Sequence, residues 1–74
     1  MPENERLTNR IRRLRFDQGE MTQQELADNV GVTRQTIIAI EAGKYNPGLT
    51  LGMRIARFFG VPVEQVFKLE DGGS

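Results

Sequence analysis

The sequence predicts an all-α domain of five short helices, and three observations carry that expectation. Apolar residues recur three and four apart in successive segments, as in Leu7, Ile11 and Leu14, or Ile37 and Ile40. That is the period of a helix with one buried face. Glycines stand where the periodic runs break off, at Gly19, Gly31, Gly43 and Gly60, the residue type that helix C-termini favour. No segment reads clearly as a strand, and the intervals between runs are short, as a compact all-α domain requires.

Seventy-four residues make a single domain, 1–74. A chain of this size buries only about 60% of its unfolded surface, so the core is thin. The sequence contains no Cys and no His. Disulfides and Cys-based zinc sites are thereby excluded, and so are the usual metal-ligand sets and His-based acid–base catalysis. Stability is expected to come from helix packing, helped by a partner subunit. No apolar run approaches the roughly 18 residues of a membrane span, and the N-terminal MPENERL has no signal-peptide pattern. The expectation is a soluble intracellular protein without metal, cofactor or membrane contact.

The first helix is expected from about Glu5 to Asp17, after a polar, frayed start. Leu7, Ile11 and Leu14 form its core stripe, with Arg10, Arg12 and Arg13 on the flanks. Arg15 falls about 80° from that stripe at 100° per residue, at the edge of the core. Phe16 points away from it, and could meet the C-terminal tail or a partner. Met21 precedes the second helix as a hydrophobic staple. That helix spans Gln23–Val30 and opens on a capping box, Thr22 with Glu25 three residues on. Gly31 ends it, Val32 plugs the turn, and Thr33 offers the next N-cap. The third helix runs to about Ala42, with Ile37 and Ile40 turned back onto Leu26 and Val30. Ala27 lies where the two helices cross, and a small side chain permits their close approach. Two short helices about a tight glycine turn, here Thr22 to Glu41, are the helix-turn-helix pattern.

A turn-rich loop follows, Lys44 to Gly48. The fourth helix is expected over Leu49–Phe59, with Leu51, Ile55, Phe58 and Phe59 mostly inward. The fifth begins at Pro62, a favoured first position, and carries Val63, Val66 and Phe67. From Glu70 onward, 70–74, a flexible tail is expected.

These markers together resemble the phage-repressor and Cro-like helix-turn-helix family, also called the xenobiotic response element family. They are LR at Leu14-Arg15, TQQELA at Thr22–Ala27, GV at Gly31-Val32 and TRQTI at Thr33–Ile37. IEAGKYNP at Ile40–Pro47 and IARFFGVPVEQVF at Ile55–Phe67 complete the series. Each alone is weak; in order and at this spacing they are specific, and they cover about Ile11 to Phe67. The resemblance implies a compact lambda-repressor-like domain over 11–67 that binds double-stranded DNA. It also implies a cytoplasmic, nucleoid-associated place for the chain and an ion pair between Arg15 and Glu41. Gly48 and Gly52 depart from the pattern, standing where relatives commonly carry Ser or Thr and Ala. Both are read as plain tolerance, with close packing across a dimer contact as the alternative.

Recognition helices of this type read bases with their N-terminal residues, here Thr33, Arg34, Gln35 and Thr36. Arg34 has the fork for O6 and N7 of guanine, and Gln35 matches N6 and N7 of adenine. Thr33 suits a base or phosphate, and Thr36 a phosphate. Ile38 lies off the Ile37/Ile40 face and meets either a thymine methyl or a neighbouring helix. Gln23, in the first turn of the second helix, suits a phosphate with nearby backbone N–H groups, as the resemblance also implies. Lys44, Tyr45 and Asn46 would grip the backbone on the far side of the groove, with packing an even alternative for Tyr45.

Zero net charge by itself argues against a nucleic-acid binder. The charge is segregated, however: five arginines fall between Arg6 and Arg15, and Glu64, Glu70 and Asp71 lie near the end. A dimer would still present one basic face. No nucleophile–base pair, carboxylate dyad or phosphate-cradling glycine loop points to an enzyme, and no small-molecule ligand is predicted. The expected function is a sequence-specific regulator of transcription, a repressor acting as a homodimer on a palindromic operator. Val63, Phe67 and Leu69 are the expected dimer contact. The alternatives are a protein-interaction module of antitoxin or adaptor type, favoured by near-neutral charge, Phe16 and Ile38, and a restriction–modification control protein.

Overall fold

The computed structural model describes residues 5–71, and the expectations for residues 1–4 and 72–74 fall outside them. The elements in order are β1 (Glu5–Asn9), α1 (Ile11–Asp17), α2 (Gln23–Val30), α3 (Arg34–Glu41), α4 (Leu49–Phe59), α5 (Val63–Val66) and β2 (Phe67–Asp71). The five helices form, but the fold is not strictly all-α: β1 and β2 pair antiparallel into a two-stranded sheet that joins the two ends of the described chain.

That sheet corrects three expectations. The first helix starts at Ile11, not Glu5, because Asn9 diverts the chain: its side-chain carbonyl accepts the Ile11 N–H at 3.2 Å, and its amide donates to the Ile40 carbonyl at 2.9 Å. Short amide side chains compete with helix in this way. Leu7 therefore faces Leu69 across the sheet and is not part of a helical stripe. Phe67 is the first residue of β2, since α5 closes after a single turn and Phe67 adopts an extended backbone. Glu70 and Asp71 are strand residues, not tail.

The core is built as the helical spacing predicts. Ile11 from α1, Leu26, Ala27 and Val30 from α2, and Ile37 and Ile40 from α3 are buried. Ile55, Ala56 and Phe59 from α4 and Val66 from α5 join them. Leu14, Met21, Val32, Leu51 and Phe58 are half-buried against this cluster, and Phe16 is exposed. Ala27 is fully buried at the α2–α3 crossing, so a larger side chain there would separate the two helices.

Helix ends fix where the elements start and stop. Thr22 and Glu25 form both arms of the capping box, at 3.0 and 2.9 Å. Gly31 turns the chain with φ of +78°, a left-handed conformation that disfavours side chains. Arg54 on α4 donates to the Val30 carbonyl at 3.0 Å, placing a cation at the C-terminus of α2. The α3 end is a full Schellman closure: Gly43 N–H bonds to the Ile40 carbonyl and Lys44 N–H to that of Ala39. In the connection from α1 to α2, both Gly19 and Glu20 take positive φ, +77° and +60°. This connection is thus closed with one strained non-glycine residue, Glu20.

Gly52 is buried, and a Cβ placed on it would meet the Phe67 ring at 3.5 Å, ordinary van der Waals contact. Its neighbour is Phe67 of the same chain, so the bare backbone belongs to the α4–β2 junction, not to a surface between subunits.

Candidate nucleic-acid interface

Helix α3 buries Ile37 and Ile40 and presents Arg34 and Gln35, both exposed, at its first turn. Thr33 caps the helix, accepting the Thr36 N–H at 3.2 Å, and the two hydroxyls lie 3.1 Å apart. One hydroxyl proton is used between the two residues, which leaves one to donate outward. An eight-residue helix about 12 Å long, polar at its outward N-terminal face, has the dimensions of a major-groove reader. Ile38 is half-buried, between the core and the outer face.

The helix is held in place from below by a small polar network. Arg15 on α1 donates through Nε and Nη2 to the two carboxylate oxygens of Glu41, at 2.7 and 3.0 Å. Its Nη1 donates to the Met21 carbonyl at 2.7 Å. The two side chains are only 14% and 10% exposed, so the pair sits mostly out of water, in the forked geometry that makes such pairs strong. Gln23, at the first turn of α2, donates its amide to Glu41 at 3.2 Å. One network therefore ties α1, the start of α2 and the end of α3 together. Gln23 keeps its second amide proton for an acceptor outside.

Around Gln23 the surface forms a hollow lined by Arg12, Thr22, Gln24 and Arg34, with the Arg15–Glu41 pair at its base. The first backbone N–H groups of α2 have no partner within the helix and open at this end. An anionic group in the hollow would meet those N–H groups, Gln23, and the two guanidinium groups of Arg12 and Arg34. Arg12 is an addition to the expected set. Nothing around it in the sequence separates it from Arg10 and Arg13, although its place three residues before Arg15 puts the two on one side of α1.

The run of arginines divides: Arg10, Arg12 and Arg13 line one hollow on α1 with Phe16 and Asp17, while Arg6 and Arg15 do not line it. Arg6 stands opposite Glu70 in the sheet, Arg13 pairs with Asp17 at 3.4 Å, and Arg15 is consumed by Glu41. Arg12 also borders the hollow around Gln23. Beyond α3, Lys44, Tyr45 and Asn46 lie in the loop that follows the helix; Lys44 and Tyr45 are exposed, and Asn46 borders a shallow hollow beside β1. Val63 lines a groove with Leu49 and Met53, Phe67 turns in toward Gly52, and Leu69 stands exposed on β2.

Among the described residues, Glu25 is the one group whose acidity is clearly displaced. The Thr22 backbone N–H, followed by the Thr22 hydroxyl, hydrogen-bonds the ionised carboxyl and holds its pKa below the ordinary value. This is a device of the capping box, away from the outward face of α3. Among the described residues, no helix is long and apolar enough to cross a membrane.

Comparison with known proteins bears on the family and the fold. A helix-turn-helix family model matches residues 11–66. An uncharacterized HTH-type transcriptional regulator of Methanocaldococcus jannaschii is 59% identical over 51 residues, covering 69% of this chain and 77% of that one. A Bacillus subtilis HTH-type regulator, YgzD, is 43% identical and covers 88% of this chain and 97% of its own. The transcriptional repressor RstR of a cryptic CTXphi phage, from Vibrio cholerae, is 34% identical over 80% of this chain and 52% of its own length. Among solved structures, a Bacteroides fragilis protein shares the fold with a TM-score of 0.74 at 24% identity, over 84% of this chain and 98% of that one. The chain belongs to the helix-turn-helix family of xenobiotic-response-element type, a family of DNA-binding transcriptional regulators rather than of enzymes.

Proposed function

We propose that this protein is a sequence-specific repressor that binds a palindromic operator in double-stranded DNA as a homodimer. The observation that carries the reading is the outward first turn of α3, where Arg34 and Gln35 are exposed on a helix whose opposite face is locked into the core. In this reading Arg34 takes guanine and Gln35 adenine, as their bidentate geometry favours. Thr33 contacts a base, and Ile38 lies against a thymine methyl. Gln23, Thr36, Lys44, Tyr45 and Asn46 hold phosphates on the two sides of the groove and set the register. Arg12 joins Gln23 at the hollow.

Two copies are expected because one short helix rarely buries enough surface for tight specific binding. A two-fold pair would place two α3 helices in successive major grooves about 34 Å apart. The sign of regulation follows the repressor RstR among the relatives. The domain, with its motif at 22–41, would act as one unit.

Replacing Arg34 by Ala tests the assignment. The expected loss is about 1–3 kcal/mol, with discrimination relaxed at one base position in each half-site. A uniform loss across all sequences would make Arg34 a phosphate contact and refute its reading role. No loss at all would favour the protein-interaction alternative.

A further inference from the structure

We infer that the outer edge of β2 is the subunit contact, where two copies pair β2 antiparallel about Leu69 to make a four-stranded sheet. This rests on the homodimer reading and gives that dimer its surface. Among the described residues the sheet has two strands only, and each has one edge unpaired by a strand. The two edges are not equivalent. β1 is half-buried except at Arg6, and Asn9 ties it to the end of α3. In β2 every residue after Phe67 is exposed, and Leu69 is 65% exposed. An isolated two-stranded sheet is marginal, and further strands stabilise it.

The ladder's phase opens β2 outward at Leu69. The Arg10 N–H bonds to the Val66 carbonyl at 2.9 Å, one step beyond the register Asn9↔Phe67. Hydrogen-bonded pairs alternate along antiparallel strands. Thr8–Lys68 and Arg6–Glu70 therefore exchange the bonds within the sheet, while the N–H and C=O of Leu69 point to the outer edge. A second β2 centred on the partner's Leu69 would exchange both bonds there.

The same register matches side chains. With Leu69 on the two-fold axis, Lys68 falls opposite the partner's Glu70, and Glu70 opposite the partner's Lys68. These are the non-hydrogen-bonded positions, where side chains approach most closely. Opposite charges so placed are stabilising. Charges on an edge strand ordinarily discourage pairing with other strands; here they are self-complementary in this register. On the opposite face Leu69 meets the partner's Leu69, covering an exposed leucine beside Leu7. The sheet is fixed to the end of α3 through Asn9, so this contact would also set the spacing of the recognition helices. The competing surface is the α4 groove of Leu49, Met53 and Val63, where Leu49 and Met53 are 76% and 56% exposed.

Charge reversal tests this. Lys68→Glu and Glu70→Lys each turn two symmetry-related pairs repulsive, and each is expected to weaken self-association by about tenfold or more. A one-to-one mixture of the two variants is expected to restore dimers. One chain would then be acidic at both positions and the other basic at both, so both pairs across the contact are again of opposite sign. Sedimentation equilibrium of wild type, each variant and the mixture reads the outcome, with circular dichroism confirming that each variant folds. Recovery in the mixture supports the contact. A wild-type dimer untouched by either reversal but dissociated by Leu49→Glu would move the interface to α4, overturning this contact while the homodimer stands. A wild type that is monomeric in solution and binds DNA one to one would overturn both.

Discussion

Substitution within the pair Arg15–Glu41 should have a large effect while leaving the exposed first turn of α3 unaltered, although Gln23 loses an acceptor when Glu41 is replaced. Replacing Glu41 by Leu would leave the Arg15 guanidinium 14% exposed with one remaining acceptor, the Met21 carbonyl. Removing one partner of a buried pair costs about 3–5 kcal/mol. The residual exposure of these side chains brings the expected loss to about 3 kcal/mol. A domain of this length has about 4–11 kcal/mol in total. The melting temperature should therefore fall by about 12–24 °C, at 4–8 °C per kcal/mol. Arg15→Met should cost about as much, because the Glu41 carboxylate would keep only Gln23. The double substitution to Met and Leu should lie within about 1 kcal/mol of wild type, since apolar replacement of both partners removes the uncompensated charge. Urea and thermal unfolding followed by circular dichroism measure all three. Arg13–Asp17, 73% and 57% exposed, is the control, and Asp17→Asn should cost less than about 0.5 kcal/mol. Single losses below about 1 kcal/mol at Arg15 and Glu41, or a double loss equal to their sum, would refute the claim that this network anchors α3.

Other consequences are smaller. Gly52→Ala should stabilise the fold by about 0.5–1 kcal/mol, read by thermal unfolding, because the added methyl meets the Phe67 ring at ordinary contact distance and α4 gains a better helix former; a loss would show that the ring cannot accept it. Glu25 should titrate below its ordinary value of 4.5 in a pH series followed by NMR. Its stabilising contribution is then complete above about 4.5 and fades as pH falls through the lower folded value, and Thr22→Ala should move the midpoint part of the way up because the backbone bond remains. Arg12→Ala should weaken DNA binding about equally for all sequences and reduce the salt slope by about one per copy; an unchanged slope would remove Arg12 from the phosphate set.

Much of this architecture is legible in the sequence because it is local. The α2–α3 unit depends on Thr22, Gly31 and Thr33 at fixed offsets and on apolar residues one helical turn apart, and each of those signals lies within a few residues of what it specifies. The sheet is invisible for the opposite reason. Leu7 and Leu69 come from opposite ends of the chain; ERLTN carries no strand pattern by itself, and FKLED alternates over four residues only, where Phe67 also continues the helical spacing of Val63 and Val66. Leu7 even falls in helical phase with Ile11, and the side-chain bonds of Asn9 together with the ladder to β2 break that continuity. The charge pattern is legible in part. Of the five neighbouring arginines, Arg10, Arg12 and Arg13 share one hollow on α1, whereas ladder register sets Arg6 opposite Glu70 and Glu41 takes Arg15; Arg12 also borders the hollow beside α2.

Selection of binding sites from a pool of random duplex DNA, at moderate salt, tests the central claim most directly. An enriched inverted repeat with half-site centres about ten base pairs apart is the predicted result, with a guanine and an adenine at the positions assigned to Arg34 and Gln35. Retention of DNA without any enriched sequence, lost steeply as salt rises, would reduce the interaction to backbone attraction and contradict the account.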